Sequence, residues 1–211
     1  MRYIIMCGGS YPLWSTPRQL TEIHGEPIVA RTIRLLREAG AEDIAISGDA
    51  DIFGRFGVPV LFHFNDFDTN GRGSWVGAFY PTEEPVCYIM GDVVFSPDAI
   101  RTIVQTPVKS IQFFASRPPF SPNYFKPYAE PFAFKVIDQK RFREAIDYVK
   151  ANEGTGLFHR RPIAWELWQV INGEDPNTIN YTNYVAINDY TCDIDHPDDA
   201  KYITIIMGDT S

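Results

Sequence analysis

The chain has 211 residues, 45% of them hydrophobic and 22% charged, with 19 basic against 27 acidic side chains and a formal net charge of −8. That length suits one domain with a sizeable core, and the apolar content excludes disorder as a general description. The acidic balance excludes non-specific attraction to nucleic acid or anionic lipid, since both need clustered Lys and Arg.

Tyr3 to Cys7 is a short apolar run closed by Gly8-Gly9, the pattern of a buried strand. After a loop containing Pro12 and Pro17, Glu26-Pro27 opens a helix whose Val29, Ile33 and Leu36 share one face and which Gly40 terminates. Asp43 to Ser47 and Val58 to Phe62 read as the second and third strands, and Val86 to Met90 as a fourth, uninterrupted apolar run. A helix is expected between the third and fourth strands. Ser96-Pro97 signals a helix from Pro97 to Val104, followed by a strand from Lys109 to Phe114. Arg117 to Pro131 is rich in Pro and aromatics and reads as a long irregular loop, a functional segment or a lid. Phe132 to Ile137 is a further strand, Gln139 to Ala151 and Pro162 to Ile171 are helices, Tyr184 to Ile187 is a strand, and Pro197 begins a last helical turn or two. Strands without polar alternation, separated by helices, imply an α/β domain with a mostly parallel sheet covered on both faces. No linker-like composition divides the chain, so residues 1–211 are expected to form a single domain.

The 3 cysteines, Cys7, Cys87 and Cys192, are scattered, which fits neither a disulfide framework nor a zinc site. Cys7 and Cys87 lie in apolar runs and read as small core residues. The opening apolar run is too short for a signal peptide, and nothing approaches the ~20 apolar residues that span a bilayer, so a cytoplasmic protein with no membrane partner is expected.

In open α/β sheets, ligands bind beyond the carboxyl ends of the strands, and three polar segments fall there. Cys7-Gly8-Gly9-Ser10 could present backbone N–H groups to a phosphate, with Arg18 as a fixed cation; the alternative is an ordinary turn. Gly91-Asp92 would project a carboxylate able to hold Mg²⁺, or would simply stabilise the turn before Pro97. In Asp193-Ile194-Asp195-His196-Pro197-Asp198-Asp199, period-two spacing puts Asp193 and Asp195 on one side if extended. Asp198 and Asp199 are accounted for by the helix dipole, while Asp195 either reaches a metal or caps the helix. The 4 histidines, scattered, argue against zinc chemistry. His159-Arg160-Arg161 is the densest basic cluster, either a solvated charge run or a contact for an anionic acceptor.

Taken together, these segments resemble the sugar-phosphate and phosphocholine nucleotidyltransferases. Met6-Cys7-Gly8-Gly9-Ser10, Thr16-Pro17-Arg18-Gln19-Leu20 and His24-Gly25-Glu26-Pro27-Ile28 follow the order of that family's opening glycine loop, Pro-Lys and Gly-Lys-Pro segments. Gly91-Asp92 and Asp193-Ile194-Asp195-His196-Pro197 match its two metal-carboxylate motifs, and Phe64-Asn65-Asp66 with Gly73-Ser74 resembles the segment that passes the base. Two departures stand out. Ser10 to Trp14 lacks the second Gly and the Arg of the family's loop, and the Lys of Pro-Lys is Arg18.

The resemblance implies a Rossmann-like sheet of the nucleotide-diphospho-sugar transferase type and a Mg²⁺-dependent nucleotidyl transfer, with residues 1–115 as the nucleotide-binding half and 116–211 as the acceptor-binding half. It implies Asp92 and Asp195 as metal ligands, with Arg18 beside them on the triphosphate. Met6, Cys7, Gly8, Gly9, Ser10, Asn65, Ser74 and Gly91 would line the nucleotide. The acceptor contacts read from the sequence are Lys126, Glu130, Arg160 and Arg161. The expected partners are a nucleoside triphosphate, CTP or UTP slightly preferred, and a small phosphorylated acceptor such as a sugar-1-phosphate or phosphocholine, with a homodimer as the oligomer considered. The alternatives are a glycosyltransferase using a nucleotide-sugar and a non-catalytic nucleotide-binding module.

Overall fold

The computed structural model describes residues 1–9, 14–65, 73–117 and 129–208. Its elements in chain order begin with β1 (Arg2–Met6), a 3₁₀ turn (Arg18–Leu20), β2 (Glu22–Ile23), β3 (Glu26–Pro27) and α1 (Ile28–Glu38). Then come β4 (Ile44–Gly48), α2 (Ala50–Phe53), β5 (Val60–Phe62), β6 (Val86–Met90), β7 (Val93–Val94) and α3 (Pro97–Gln105). The second half holds β8 (Ile111–Ser116), β9 (Pro131–Val136), α4 (Gln139–Asn152), α5 (Ala164–Asn172), β10 (Val185–Ile187), β11 (Cys192–Asp193) and α6 (Pro197–Met207).

Seven strands form one sheet in the order β10-β8-β9-β6-β1-β4-β5. β1 pairs in parallel with β4 and β6, and β4 and β8 pair in parallel with β5 and β10. β9 alone runs antiparallel, against both β6 and β8, so the sheet is mostly rather than wholly parallel. β4 and β6 are buried at every position, which requires cover on both faces. That cover includes α1 packed on α3, and α4 packed on α5. α1 buries Ile28, Val29, Thr32, Ile33, Leu35 and Leu36 on one side, with Pro27 as its cap. An aromatic cluster fills the space under α4 and α5: Phe113 stacks on Phe134 at 4.4 Å, and Phe79 meets Phe142 edge-on at 5.0 Å.

Two expectations need correction, and some two-residue strands were not anticipated. Between β5 and β6 the described residues hold only a short 3₁₀ turn, Trp75–Ala78, in place of a full helix. The closing helix α6 runs eleven residues, longer than the turn or two expected. The short strands β7 and β11, which pair with each other, have no counterpart in the sequence reading. The irregular loop falls largely on 118–128, outside the described residues. No helix among the described residues is long and apolar enough to cross a membrane.

One buried charge ties the sheet to its cover. Lys135 of β9 is 5% exposed, and its Nζ donates to the carbonyls of Ile103, Val104 and Thr106 at 3.1, 2.9 and 2.8 Å. It thereby satisfies carbonyls at the end of α3 that have no intrahelical partner, although burial lowers the pKa of the amine. Lys135→Met keeps the apolar stem but strands these carbonyls. We expect it to cost about 2–4 kcal/mol, measured as a shift in the urea unfolding midpoint.

Candidate active site

β1 and β6 are adjacent and parallel, so their carboxyl ends deliver Cys7-Gly8 and Gly91-Asp92 to the same edge. There is no space between the two exits. The Gly91 N–H donates to the Met6 carbonyl at 3.1 Å, and a Cβ on Gly91 would lie 2.2 Å from that same oxygen. Gly8 is confined as well, since a Cβ there would stand 2.9 Å from the His63 carbonyl beyond β5. Glycine at both positions is what lets three strand exits converge.

The C-terminal segment reaches this edge through the β7–β11 ladder. Cys192 and Asp193 pair antiparallel with Val94 and Val93, and the Ile194 N–H donates to the Asp92 carbonyl at 2.9 Å. Asp195 is thereby set beside Asp92. Its own N–H and that of His196 donate to Asp199 Oδ2 at 2.8 and 2.9 Å, fixing the entry to α6. Asp199 is thus the capping group, and Asp195 is spared that role.

Arg18 lies between the two carboxylates. It is 5% exposed, with Nη2 in an ion pair with Asp92 and Nη1 2.8 Å from Asp195 Oδ1. Nη1 also donates to the Ile194 carbonyl at 3.0 Å, and Trp14 Nε1 donates to the Asp195 carbonyl at 3.1 Å. A second grouping shares Asp195: ligand oxygens of Glu130, Asp193 and Asp195 all lie within 4.8 Å of one another. These hard oxygen donors suit a small divalent ion such as Mg²⁺, so the donor chemistry fits the cofactor implied by the sequence.

Two cavities open on either side of Arg18, and both are lined by Gly8, Arg18 and Gln19. The first, about 310 Å³, continues over Cys7, Gly9, Trp14, Asp49 and the exposed Phe62 and Phe64. The second, about 450 Å³, contains Met6, Gly91, Asp92, Glu130, Asp193 and Asp195, with Trp75, Arg160, Trp165 and Tyr181 around them. Trp165 is oriented by Nε1 donating to the Ala129 carbonyl at 2.8 Å, and its ring meets Tyr181 edge-on at 4.9 Å.

The expected site residues are therefore distributed unevenly. Met6, Cys7, Gly8, Gly9, Arg18, Gly91, Asp92, Glu130, Arg160 and Asp195 all line one cavity or both. Asn65 is buried beside the 3₁₀ turn, where a Cβ on Gly77 would approach its Oδ1 to 3.2 Å. Ser74 precedes that turn and lines neither cavity. Arg161 also turns away, bonding the Gly73 carbonyl and facing Glu153 at 3.4 Å. Arg160 keeps its place in the second cavity with Nε 2.5 Å from the buried Glu166. The exposed His159 lines neither cavity. Ser10 and Lys126 lie outside the described residues.

Burial holds the Cys7 thiol well above its usual pKa, and the Asp92 carboxylate adds to the shift. Cys7 is a packed thiol, 4% exposed, as its apolar run suggests. Sequence reasoning missed Asp193 as a cavity residue, along with Trp75, Trp165 and Tyr181. For Asp193 the period-two spacing to Asp195 was the available signal.

The polar constellation lies beyond the carboxyl ends of an open α/β sheet, the place where such sheets bind their ligands. The model of the MobA-like NTP transferase domain matches residues 3–156, and the chain belongs to that family. Comparison with curated proteins finds no match. Among solved structures, one similar fold is a Bacillus anthracis protein assigned as a glucose-1-phosphate thymidylyltransferase, solved in complex with sucrose. It is 16% identical with a TM-score of 0.59, over 100% of this chain and 96% of that one. Another is Rv0371c from Mycobacterium tuberculosis H37Rv, 15% identical with a TM-score of 0.54, over 97% and 96% of the two chains. At such identities the likeness speaks to the fold. Family membership supports NTP transferase activity in general terms.

Proposed function

We propose that the protein is a Mg²⁺-dependent nucleotidyltransferase. It joins the nucleoside monophosphate of a triphosphate to a small phosphorylated acceptor and releases pyrophosphate. The observation that carries this reading is Arg18, which lines both cavities and pairs with Asp92 and Asp195 of the second. The cavity beside Gly8 and Gly9 suits the triphosphate, and the one holding Glu130, Arg160 and Trp165 suits the acceptor. On this reading the nucleotide half is residues 1–115. The acceptor half, 116–211, contributes Glu130, Arg160, Trp165 and Tyr181 to a cavity that both halves line.

An acceptor phosphate oxygen attacks the α-phosphorus in line, the bond to the β-phosphate oxygen breaks, and pyrophosphate leaves. Arg18 and the backbone N–H groups after β1 stabilise the charge that collects on the departing oxygens. Asp195 and Asp92, with Asp193 and Glu130 adjoining, would hold the divalent ion, which supplies charge neutralisation and orientation of the phosphates. An ionised phosphate nucleophile needs no general base. His63, in the first cavity, has its Nε2 2.8 Å from the Gly77 carbonyl and is not required for proton transfer.

The aromatic surface of Trp75, Trp165 and Tyr181 offers a face to the ring of a sugar phosphate or to a quaternary ammonium headgroup. The fold neighbour assigned as a glucose-1-phosphate thymidylyltransferase favours the sugar phosphate. The test is pyrophosphate release with Mg²⁺ from CTP, UTP, dTTP, GTP and ATP, each paired with glucose-1-phosphate and with phosphocholine. Release that depends on both substrates is the expected result. Tight nucleotide binding without release across a broad acceptor panel would instead indicate a binding module.

A further inference from the structure

We infer that Arg18 is the built-in counter-ion of the metal carboxylates, making divalent-ion binding conditional on the arrival of a triphosphate. The inference deepens the proposed function and rests on it for the identity of that anion. The competition itself is set by three side chains of this chain.

A guanidinium can serve two carboxylates at once because its nitrogens diverge in one plane, and Arg18 does so here. Nη2 pairs with Asp92 Oδ2, Nη1 pairs with Asp195 Oδ1 at 2.8 Å, and the Ile194 carbonyl takes a further bond from Nη1. An ion held by Asp92 and Asp195 must share these carboxylates with Arg18, which already engages one oxygen of each. It would also bring a second positive centre against a guanidinium that is 5% exposed, where like charges are poorly screened. In the nucleotide-free protein, therefore, Arg18 weakens the binding of the ion.

A triphosphate changes the balance, because its oxygens offer Arg18 a bidentate acceptor of higher charge. Arg18 lines both cavities, so the nucleotide cavity is within its reach without a change of fold. Once the guanidinium turns to phosphate, the carboxylates are released for the ion. The coupling is reciprocal: ion and triphosphate each raise the affinity for the other by the same factor. A lysine ammonium is a single point charge, whereas Arg18 closes the whole pair in the resting state.

The test is titration of Mn²⁺ alone into nucleotide-free protein, with free Mn²⁺ followed by electron paramagnetic resonance. Wild type should bind weakly. Arg18→Gln should bind at least about tenfold more tightly, a step of about 1.4 kcal/mol. Adding Asp92→Asn to that variant should remove the gain. Arg18→Lys, whose ammonium can hold only one carboxylate well, should fall between wild type and Arg18→Gln. It also serves as the readout if Arg18→Gln does not fold, as checked by a thermal melt. A folded Arg18 variant that binds Mn²⁺ no better than wild type overturns the inference. Failure of the nucleotidyltransferase reading would appear separately, as wild-type protein that releases no pyrophosphate. With the Mn²⁺ gain intact, that outcome leaves the competition standing and changes only the anion that relieves it.

Discussion

Asp195→Asn is expected to lower pyrophosphate release by about a hundred- to a thousandfold while the protein stays folded, and Asp92→Asn should behave alike. Asparagine keeps an oxygen for Arg18 but removes the negative charge that the phosphate chemistry requires. Either single change leaves Arg18 one charged partner of the pair, so the thermal midpoint should move little. The double variant is a different case. It places the buried guanidinium against two neutral amides, and breaking a buried ion pair in this way costs about 3–5 kcal/mol. The contrast between singles that lose turnover and a double that also loses stability distinguishes a functional pair from a structural one. Glu130→Gln and Asp193→Asn extend the measurement to the carboxylates that converge on Asp195. Near-wild-type turnover in both Asp92→Asn and Asp195→Asn would remove the site assignment.

The placement of Asp92 beside Asp195 also shows which parts of this molecule the sequence makes legible. β6 was readable to the residue, because Val86-Cys87-Tyr88-Ile89-Met90 is an unbroken apolar run between polar segments and all five side chains are buried. The order of the motifs around Gly8, Arg18, Asp92 and Asp195 carried the family, since spacing along the chain survives where identity does not. The β7–β11 ladder was not readable. Two residues on each strand carry no periodicity, and their register depends on segments nearly a hundred positions apart. The direction of β9 was hidden for a related reason, since a mostly apolar run buried on both faces looks the same in parallel and antiparallel pairing. α6 was underestimated because its later turns expose Tyr202 and Ile205 and leave no clean apolar stripe. Charge is visible in a sequence, but partnership is not. Arg18 reads as a cation awaiting phosphate, and only the fold reveals that two carboxylates already hold it.

Gly91→Ala should be the most disruptive single methyl in the described molecule. The added Cβ would stand 2.2 Å from the Met6 carbonyl oxygen, 2.9 Å from its carbon and 3.0 Å from Cys7 Sγ. Two of these three neighbours are backbone of β1, which is hydrogen-bonded to β4 and β6 along its length, so the usual relief by rotating a side chain is closed. Relief must come by separating the ends of β1 and β6, which breaks the Gly91 N–H bond to Met6 and displaces Asp92. We expect a loss of about 3 kcal/mol or more in denaturant unfolding. Whatever fraction remains folded should turn over poorly, because a shifted Asp92 no longer shares Arg18 with Asp195. Gly54→Ala is the control. It has a helical φ of −61°, and an added Cβ meets nothing within 4 Å. It should leave stability unchanged or raise it by about 0.4–1 kcal/mol through the unfolded chain. A Gly91→Ala protein as stable and as active as the Gly54→Ala control would mean that β1 and β6 do not meet as closely as described. The convergence of Gly8, Arg18 and Asp92 would then lose its structural basis.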